Sequence, residues 1–97
     1  MPADLQADYD ALSAMSDMFG TAAQQMDQMQ SSIQQMVSML EGGALLGVAG
    51  DRLVGALQNN LARKVAYGAE KFRELQGDVR AAMGEISDAD QQGAGQF

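Results

Sequence analysis

Two pairs of acids are the side chains best placed to do chemistry. Asp8 and Asp10 lie near the start of the chain, and Asp88 and Asp90 lie near its end. Two neighbouring carboxylates can act as general acid and general base where burial tunes one of them. Their neighbours in the sequence are alanine, serine, tyrosine and glutamine, which do not predict burial. We expect these acids to lie on solvated helix faces and the protein not to be an enzyme.

The residue types behind most metal and nucleophile sites are missing. The chain has no cysteine and no histidine, which excludes disulfides, thiolate zinc sites and histidine general bases. The glycine-rich stretch 40–50, LEGGALLGVAG, lacks the lysine and serine or threonine of a phosphate-binding loop. No run of alternating oxygen ligands predicts a calcium loop. We expect no metal and no cofactor.

The charge balance argues against nucleic acid as a partner. Of 97 residues, 13 are acidic and six are basic, so the formal net charge is -7. A polyanion would be repelled by such a chain. The first residues, MPADLQADYD, show no basic and apolar leader of the signal-peptide kind. No apolar run approaches the roughly 20 residues that span a bilayer.

The first half of the chain carries a heptad pattern. One position of the heptad is Leu5, Leu12, Phe19, Met26, Ile33 and Leu40, and the other includes Met15, Ala22, Met29 and Met36. This 3-4 spacing predicts one long helix packed at a shallow angle, over residues of about 5–41. The only proline, Pro2, lies outside that range.

A glycine-bearing bend and a second helix follow. Gly42 or Gly43 can adopt the left-handed conformation that ends a helix, which predicts a bend over about 42–48. Periodic apolar residues then predict helix two over about 48–87. The polar, glycine-rich residues 88–97 are expected to form a flexible tail. Six glycines lie in or beside helix two, either where backbones approach closely or where they are merely tolerated.

The apolar stripe of helix one is wider than one neighbouring helix can cover. Tyr9, Ala23 and Val37 flank it on one side, and Met18 and Met39 flank it on the other. Six of the eight methionines lie on this stripe, so we expect them to fill a core. The pattern predicts one all-α domain, an antiparallel two-helix hairpin that dimerises into a four-helix bundle. The predicted core and dimer residues are Leu12, Phe19, Met26, Ile33, Leu61, Phe72 and Val79.

The bend resembles that of the WXG-motif proteins, the Esx-type (early secretory antigenic target-like) substrates of type VII secretion systems. That family has Trp-x-Gly at the bend, followed by a small and then an apolar residue. Here Leu45, Gly47, Ala49 and Leu53 match the spacing, with leucine in place of tryptophan. Family members also carry a C-terminal secretion signal, whose spacing Ile86, Asp90, Gly93 and Phe97 match here, with glycine at a hydrophobic position.

The resemblance implies a secreted protein that is cytoplasmic before export and has no signal peptide. Its partners would be a second copy, which we favour, or a sibling WXG-like protein, together with the type VII secretion ATPase. It would act as a dimeric effector or as a secretion partner. Two alternatives remain: a membrane-acting helical effector, favoured by the broad apolar stripe, and a cytosolic coiled-coil adaptor with no export role.

Overall fold

The computed structural model describes the backbone of residues 3–95 and the side chains of residues 4–88. Helix α1 is Ala3–Met39, and the segment Leu40–Ala44, which is kinked at the non-helical Gly43, follows it. After a short bend come α2, Val48–Ala56, a π-helical segment, Leu57–Leu61, and α3, Ala62–Gly95. Residues 3–95 contain no strand. The prediction of an all-α chain with two long helices is confirmed.

Helix α1 owes its length to an uninterrupted sequence. Its 37 residues contain no proline and one glycine, Gly20. Near its start, the side-chain amide of Gln6 donates to a carboxylate oxygen of Asp10 at 2.9 Å, one helical turn away. The helix begins and ends within about two residues of the predicted limits. Proline-free heptads were therefore enough to locate it.

The chain reverses direction through two glycines with positive φ. Gly43 has φ 100° and Gly47 has φ 84°, a region that side chains with a Cβ rarely adopt. Leu45 between them is extended, with φ -144° and ψ 111°. The backbone N–H of Asp51 then donates to the carbonyl of Gly47 at 3.1 Å, which closes the first turn of α2. Of the two glycines predicted as candidates for the left-handed conformation, Gly43 adopts it and Gly42 does not.

A third glycine in this region is required by crowding. Gly50 is buried, and a Cβ added there would collide with the carbonyl oxygen of Leu45. A backbone carbonyl cannot move aside as a flexible side chain can. By contrast, a Cβ at Gly77 or Gly84 would meet no atom within 4 Å. Close approach therefore explains Gly50, whereas Gly77 and Gly84 are tolerated.

The chain divides into two compact units, which we name unit 1 and unit 2. Unit 2 comprises residues 22–71, and its core is Ile33, Val37 and Val65. The two sides of this unit pack in antiparallel order, because the side-chain amide of Gln30 donates to the carbonyl of Ala62 at 2.6 Å while Met26 lies beside Gly68. Unit 2 is thus a helical hairpin closed by the bend.

Unit 1 comprises residues 1–21 and 72–97, of which 3–21 and 72–95 are described. The rings of Phe19 and Phe72 lie with centroids 6.1 Å apart and planes tilted by 32°. The side-chain amide of Gln76 donates to the carbonyl of the buried Ser16 at 3.0 Å. Here too the pairing runs antiparallel. The hairpin prediction is consistent with both units.

Two predicted features of helix two are corrected. First, α3 continues to Gly95, beyond the predicted end near residue 87, so residues 88–95 are helical. Alanine, glutamine and aspartate continue this helix, and its glycines cost only about 1 kcal/mol each relative to alanine. Second, Leu61, predicted as a core or dimer residue, is 45% exposed and so lies outside the core of the single chain. Leu61 is the last residue of the π-helical segment Leu57–Leu61. A π-helix has more residues per turn than an α-helix, so a residue four positions along it lies at a different angle around the helix axis.

We predict that Gly50→Ala and Gly77→Ala change stability in opposite directions. Gly50→Ala forces the backbone of the bend to move and should lower the free energy of unfolding by about 2 kcal/mol or more. Gly77→Ala adds a methyl group in open space inside a helix and should raise it by about 0.5–1 kcal/mol. Urea denaturation followed by circular dichroism measures both. Equal effects of the two substitutions would contradict the crowding at Leu45.

Candidate functional site

An apolar groove lies in unit 2, beside the bend. It has a volume of about 270 Å³ and is lined by Met36, Met39, Leu40, Ala44, Leu53 and Leu57. Four of these residues belong to α1 or to the segment directly after it, and the other two, Leu53 and Leu57, follow the bend. The antiparallel return of the chain brings them together. Every lining residue is aliphatic or methionine, so the groove offers contact area and no side-chain charge.

Four of the groove residues and one further methionine of α1 form an accessible apolar surface, in which Leu57 is half-buried and the other residues are exposed. We name Met29, Met36, Met39, Leu53 and Leu57 the apolar face of unit 2. Met36 is 49% exposed, Met39 66% and Leu53 44%. Met29 lies one heptad before Met36, on the same side of α1, and is 49% exposed. Contiguous exposed apolar residues of this kind commonly mark an interaction site.

The residues that lead into α2 are also exposed. Leu46 is 79% exposed and Val48 65%. Beside them is a second hollow of about 300 Å³, whose lining includes Glu41, Leu45, Gly47 and Asp51. Within one chain the leucines of the bend therefore do not fill a core.

The four residues of the predicted bend motif have different positions. Gly47 has the positive φ that starts α2, and the carbonyl of Leu45 contacts Gly50. Leu53 lines the groove, whereas Ala49 is exposed. The structure thus places the Leu45 carbonyl against Gly50 at the turn and leaves the side chains of Leu45 and Leu53 accessible.

The predicted core residues are buried to different degrees. Ile33 and Val79 are buried, and Leu61 is exposed. The remaining four are half-buried: Leu12, Phe19, Met26 and Phe72. All six residues of the first heptad position, from Leu5 in α1 to Leu40 directly after it, are at least half-buried. That position therefore faces the other side of its unit.

Within one chain the methionines of α1 do not fill a core, and their predicted place in the core of a four-helix bundle stays a prediction. Met15, Met18, Met29, Met36 and Met39 are all between 43% and 70% exposed, and Met26 alone of the six on α1 is half-buried. The side of the stripe with Ala23 and Val37, both buried, packs inside the units instead. The stripe therefore has two sides: a buried seam that includes Ala23 and Val37, and an exposed seam that carries most of the methionines. Within one chain only the buried seam is covered.

The predicted secretion signal lies partly on α3. Ile86 is half-buried, and Asp90 and Gly93 belong to the helical backbone. Their spacing of four and three residues places Ile86, Asp90 and Gly93 on one side of that helix. Phe97 lies outside the described residues. The predicted tail conformation is thus replaced by a helical one at Asp90 and Gly93, whereas Ile86 lies in the helix as predicted.

Sequence reasoning missed three polar residues that link the two sides within each unit. In unit 2 the side-chain amide of Gln30 donates a hydrogen bond to the other side. In unit 1 the side-chain amide of Gln76 donates to the backbone carbonyl of Ser16. A signal for two of them was present, because Tyr9, Ser16, Ala23, Gln30 and Val37 recur every seven residues. Small and amide side chains in that register mark the second position of the buried seam. The groove residue Ala44 was also missed, since alanine carries no distinctive pattern.

In the described part of the chain, no three or more acidic side chains are grouped so that they could hold a metal ion. None of the described helices is long and apolar enough to cross a bilayer.

Comparison of the chain with protein-family models, with curated proteins and with solved structures finds no match. The function is therefore inferred from the apolar face, the bend and the helices that carry them.

We predict that Ile33→Ala and Met36→Ala separate the buried seam from the exposed one. Ile33 is 3% exposed in the core of unit 2, so its truncation should cost about 2–4 kcal/mol of unfolding free energy. Met36, three residues along α1 and 49% exposed, should cost less than about 1 kcal/mol in dilute protein. Urea denaturation at low protein concentration tests this. A cost for Met36→Ala as large as that for Ile33→Ala would show that Met36 is buried.

Proposed function

We propose that this chain is a small, non-enzymatic helical protein of the WXG-motif type, exported by a type VII secretion system. It acts as a dimeric secreted effector or as a secretion partner. The observation that carries the proposal is two long helices joined by a bend at Gly47, with a broad apolar face beside that bend. This arrangement provides an interaction surface. It is expected to bind a second copy or a sibling WXG-like protein.

The geometry of the bend supports the match to the family motif. Gly47 precedes α2 with φ 84° and ψ -158°, a conformation in which glycine is strongly favoured. Leu45, at the tryptophan position of the motif, is extended and 43% exposed. Leu53, at the apolar position, lines the groove. A large apolar side chain at position 45 thus remains available to a partner.

The helical register of α3 supports the proposed export signal. A hydrophobic residue, an acid and a third position that share one helix side form a compact recognition element. Ile86, Asp90 and Gly93 have this register. The secretion ATPase is the expected reader, because in the family the export determinants are read by that ATPase.

We expect Asp90→Ala and Phe97→Ala each to reduce export from the organism that encodes the protein, and deletion of residues 91–97 to reduce it sharply. The measurement is the ratio of secreted to cell-associated protein, by immunoblot. Asp88→Ala is the matched control, since it removes an acid from the same helix two positions out of register. Helicity of each variant is checked by circular dichroism.

Normal export of the truncated protein would refute the assignment of the signal to this segment. An equal loss with Asp88→Ala would show that export responds to charge rather than to register. If the wild-type chain stays in the cell while the secretion system exports its other substrates, the proposal of export is wrong and the cytosolic adaptor becomes the better account.

A membrane-acting effector is the second candidate, and the exposure of Leu46 and Val48 favours it. Aliphatic side chains at a bend can insert shallowly into a lipid interface. Leakage of dye from zwitterionic liposomes, with Leu46→Gln as the comparison, tests this role. Under the leading proposal neither protein releases dye, and leakage that Leu46→Gln abolishes would favour the membrane role.

A further inference from the structure

The methionines of α1 recur in pairs. Three pairs have members three residues apart: Met15 with Met18, Met26 with Met29, and Met36 with Met39. Residues at this spacing lie on one face of a helix, with Cβ atoms about 5–6 Å apart. Methionine side chains are unbranched and have several rotatable bonds. Each pair can therefore bring two thioether sulfurs to a shared point beyond the helix surface.

Both members of two of these pairs are exposed. At Met15 and Met18, in unit 1, the side chains are 43% and 70% exposed. At Met36 and Met39, in unit 2, they are 49% and 66% exposed. The latter two also line one groove, so their side chains border the same space. We name Met15 with Met18, and Met36 with Met39, the exposed pairs.

The third pair differs, because one of its sulfurs faces the returning helix. Met26 is half-buried, and its sulfur lies 3.6 Å from the position that a Cβ on Gly68 would occupy. Only Met29 of this pair is exposed. The packing of unit 2 thus holds the sulfur of Met26 against the returning helix. This pair is therefore a matched control, with the same spacing on the same helix.

Thioether sulfurs are neutral and polarizable, and they favour soft metal ions. Methionine selects copper(I), whereas magnesium and calcium prefer oxygen ligands. Copper(I) and silver(I) both accept two ligands, so a pair of sulfurs is enough. The expectation that the chain holds no metal rests on cysteine, histidine and carboxylate ligands. That expectation assigns the methionine sulfurs to a core, where no ion would reach them.

We propose that each exposed pair binds one soft monovalent cation, of the copper(I) class, through its two sulfurs. The chain then carries two such sites, one in each unit. The inference goes beyond the proposed function, and it depends neither on export nor on a dimer.

The surroundings of the exposed pairs favour a soft cation over a hard one. In the groove that Met36 and Met39 line, no lining side chain carries oxygen or nitrogen, so sulfur is the only side-chain ligand there. The formal charge of -7 attracts cations of every kind to the chain. The ligand type therefore decides which cation the groove retains.

Silver(I) is the probe for these sites, because it shares the ligand preference of copper(I) and is stable in air. Silver nitrate is titrated into the purified full-length chain in a chloride-free buffer, and isothermal titration calorimetry gives the number of ions bound. Three double variants are compared with the wild-type chain: Met15→Leu with Met18→Leu, Met36→Leu with Met39→Leu, and, as the control, Met26→Leu with Met29→Leu. Leucine removes the sulfur but keeps the apolar character and nearly the volume of methionine.

We expect the wild-type chain to bind about two silver ions. Each variant of an exposed pair should bind about one, and the control variant should bind as many as the wild-type chain. In the wild-type chain labelled at its methionine methyl groups, nuclear magnetic resonance should show silver-dependent shifts at the exposed pairs and none at Met26. Circular dichroism should show equal helicity in all four proteins, since leucine and methionine have similar helix propensities.

No silver binding by the wild-type chain would overturn the proposal, as would undiminished binding in either exposed-pair variant. An equal loss in the control variant would also overturn it, because the sulfurs would then bind without regard to exposure. A chain that binds silver at the exposed pairs but is not exported contradicts the proposed function alone. A chain that is exported but binds no silver contradicts this inference alone.

Discussion

The reversal of the chain between Gly43 and Gly50 is the constraint on which the hairpin of unit 2 depends. Two positive φ values turn the backbone, and the contact between the Leu45 carbonyl and Gly50 leaves no room for a side chain. The position at which the turn ends determines the register of the hairpin, that is, which residues of α1 contact which residues of the returning helix. The packing of Ile33 and Val37 against Val65 follows from that register. So does the groove, whose lining comes from both sides of the bend.

Helix α1 carries more apolar surface than the returning chain can bury. Its buried seam combines aliphatic residues with small or amide ones, such as Ser16 and Gln30. The backbone carbonyl of Ser16 accepts a hydrogen bond from the other side of its unit, and the side-chain amide of Gln30 donates one to the other side of its unit. Methionine is concentrated on the other seam, which remains accessible. Branched residues such as Ile33 and Val37 have few rotamers and suit a fixed environment. Methionine, with more rotatable bonds, suits a surface that has to adapt.

Much of the fold followed from periodicity, because helix length and the position of the bend depend on local signals. Proline-free heptads located α1, and adjacent glycines located the turn. The choice between the two seams of α1 did not follow, since each has the spacing of a packed face and only the partner decides which is buried. The π-helical segment at Leu57–Leu61 has no residue signature, so the exposure of Leu61 could not be anticipated. Of the candidate site, Leu53 was predicted by motif spacing, whereas Ala44 was not.

The division into two units has a consequence for the order in which contacts form. Gln30 and Ala62 are 32 residues apart in the chain, and Ser16 and Gln76 are 60 apart. Closing the longer loop from an unfolded chain costs about 0.6 kcal/mol more, because loop entropy rises with the logarithm of length. Once the hairpin of unit 2 has closed, much of that entropy has already been lost. Unit 1 can then close without a long search, so folding that starts at the bend and proceeds outwards is entropically favoured.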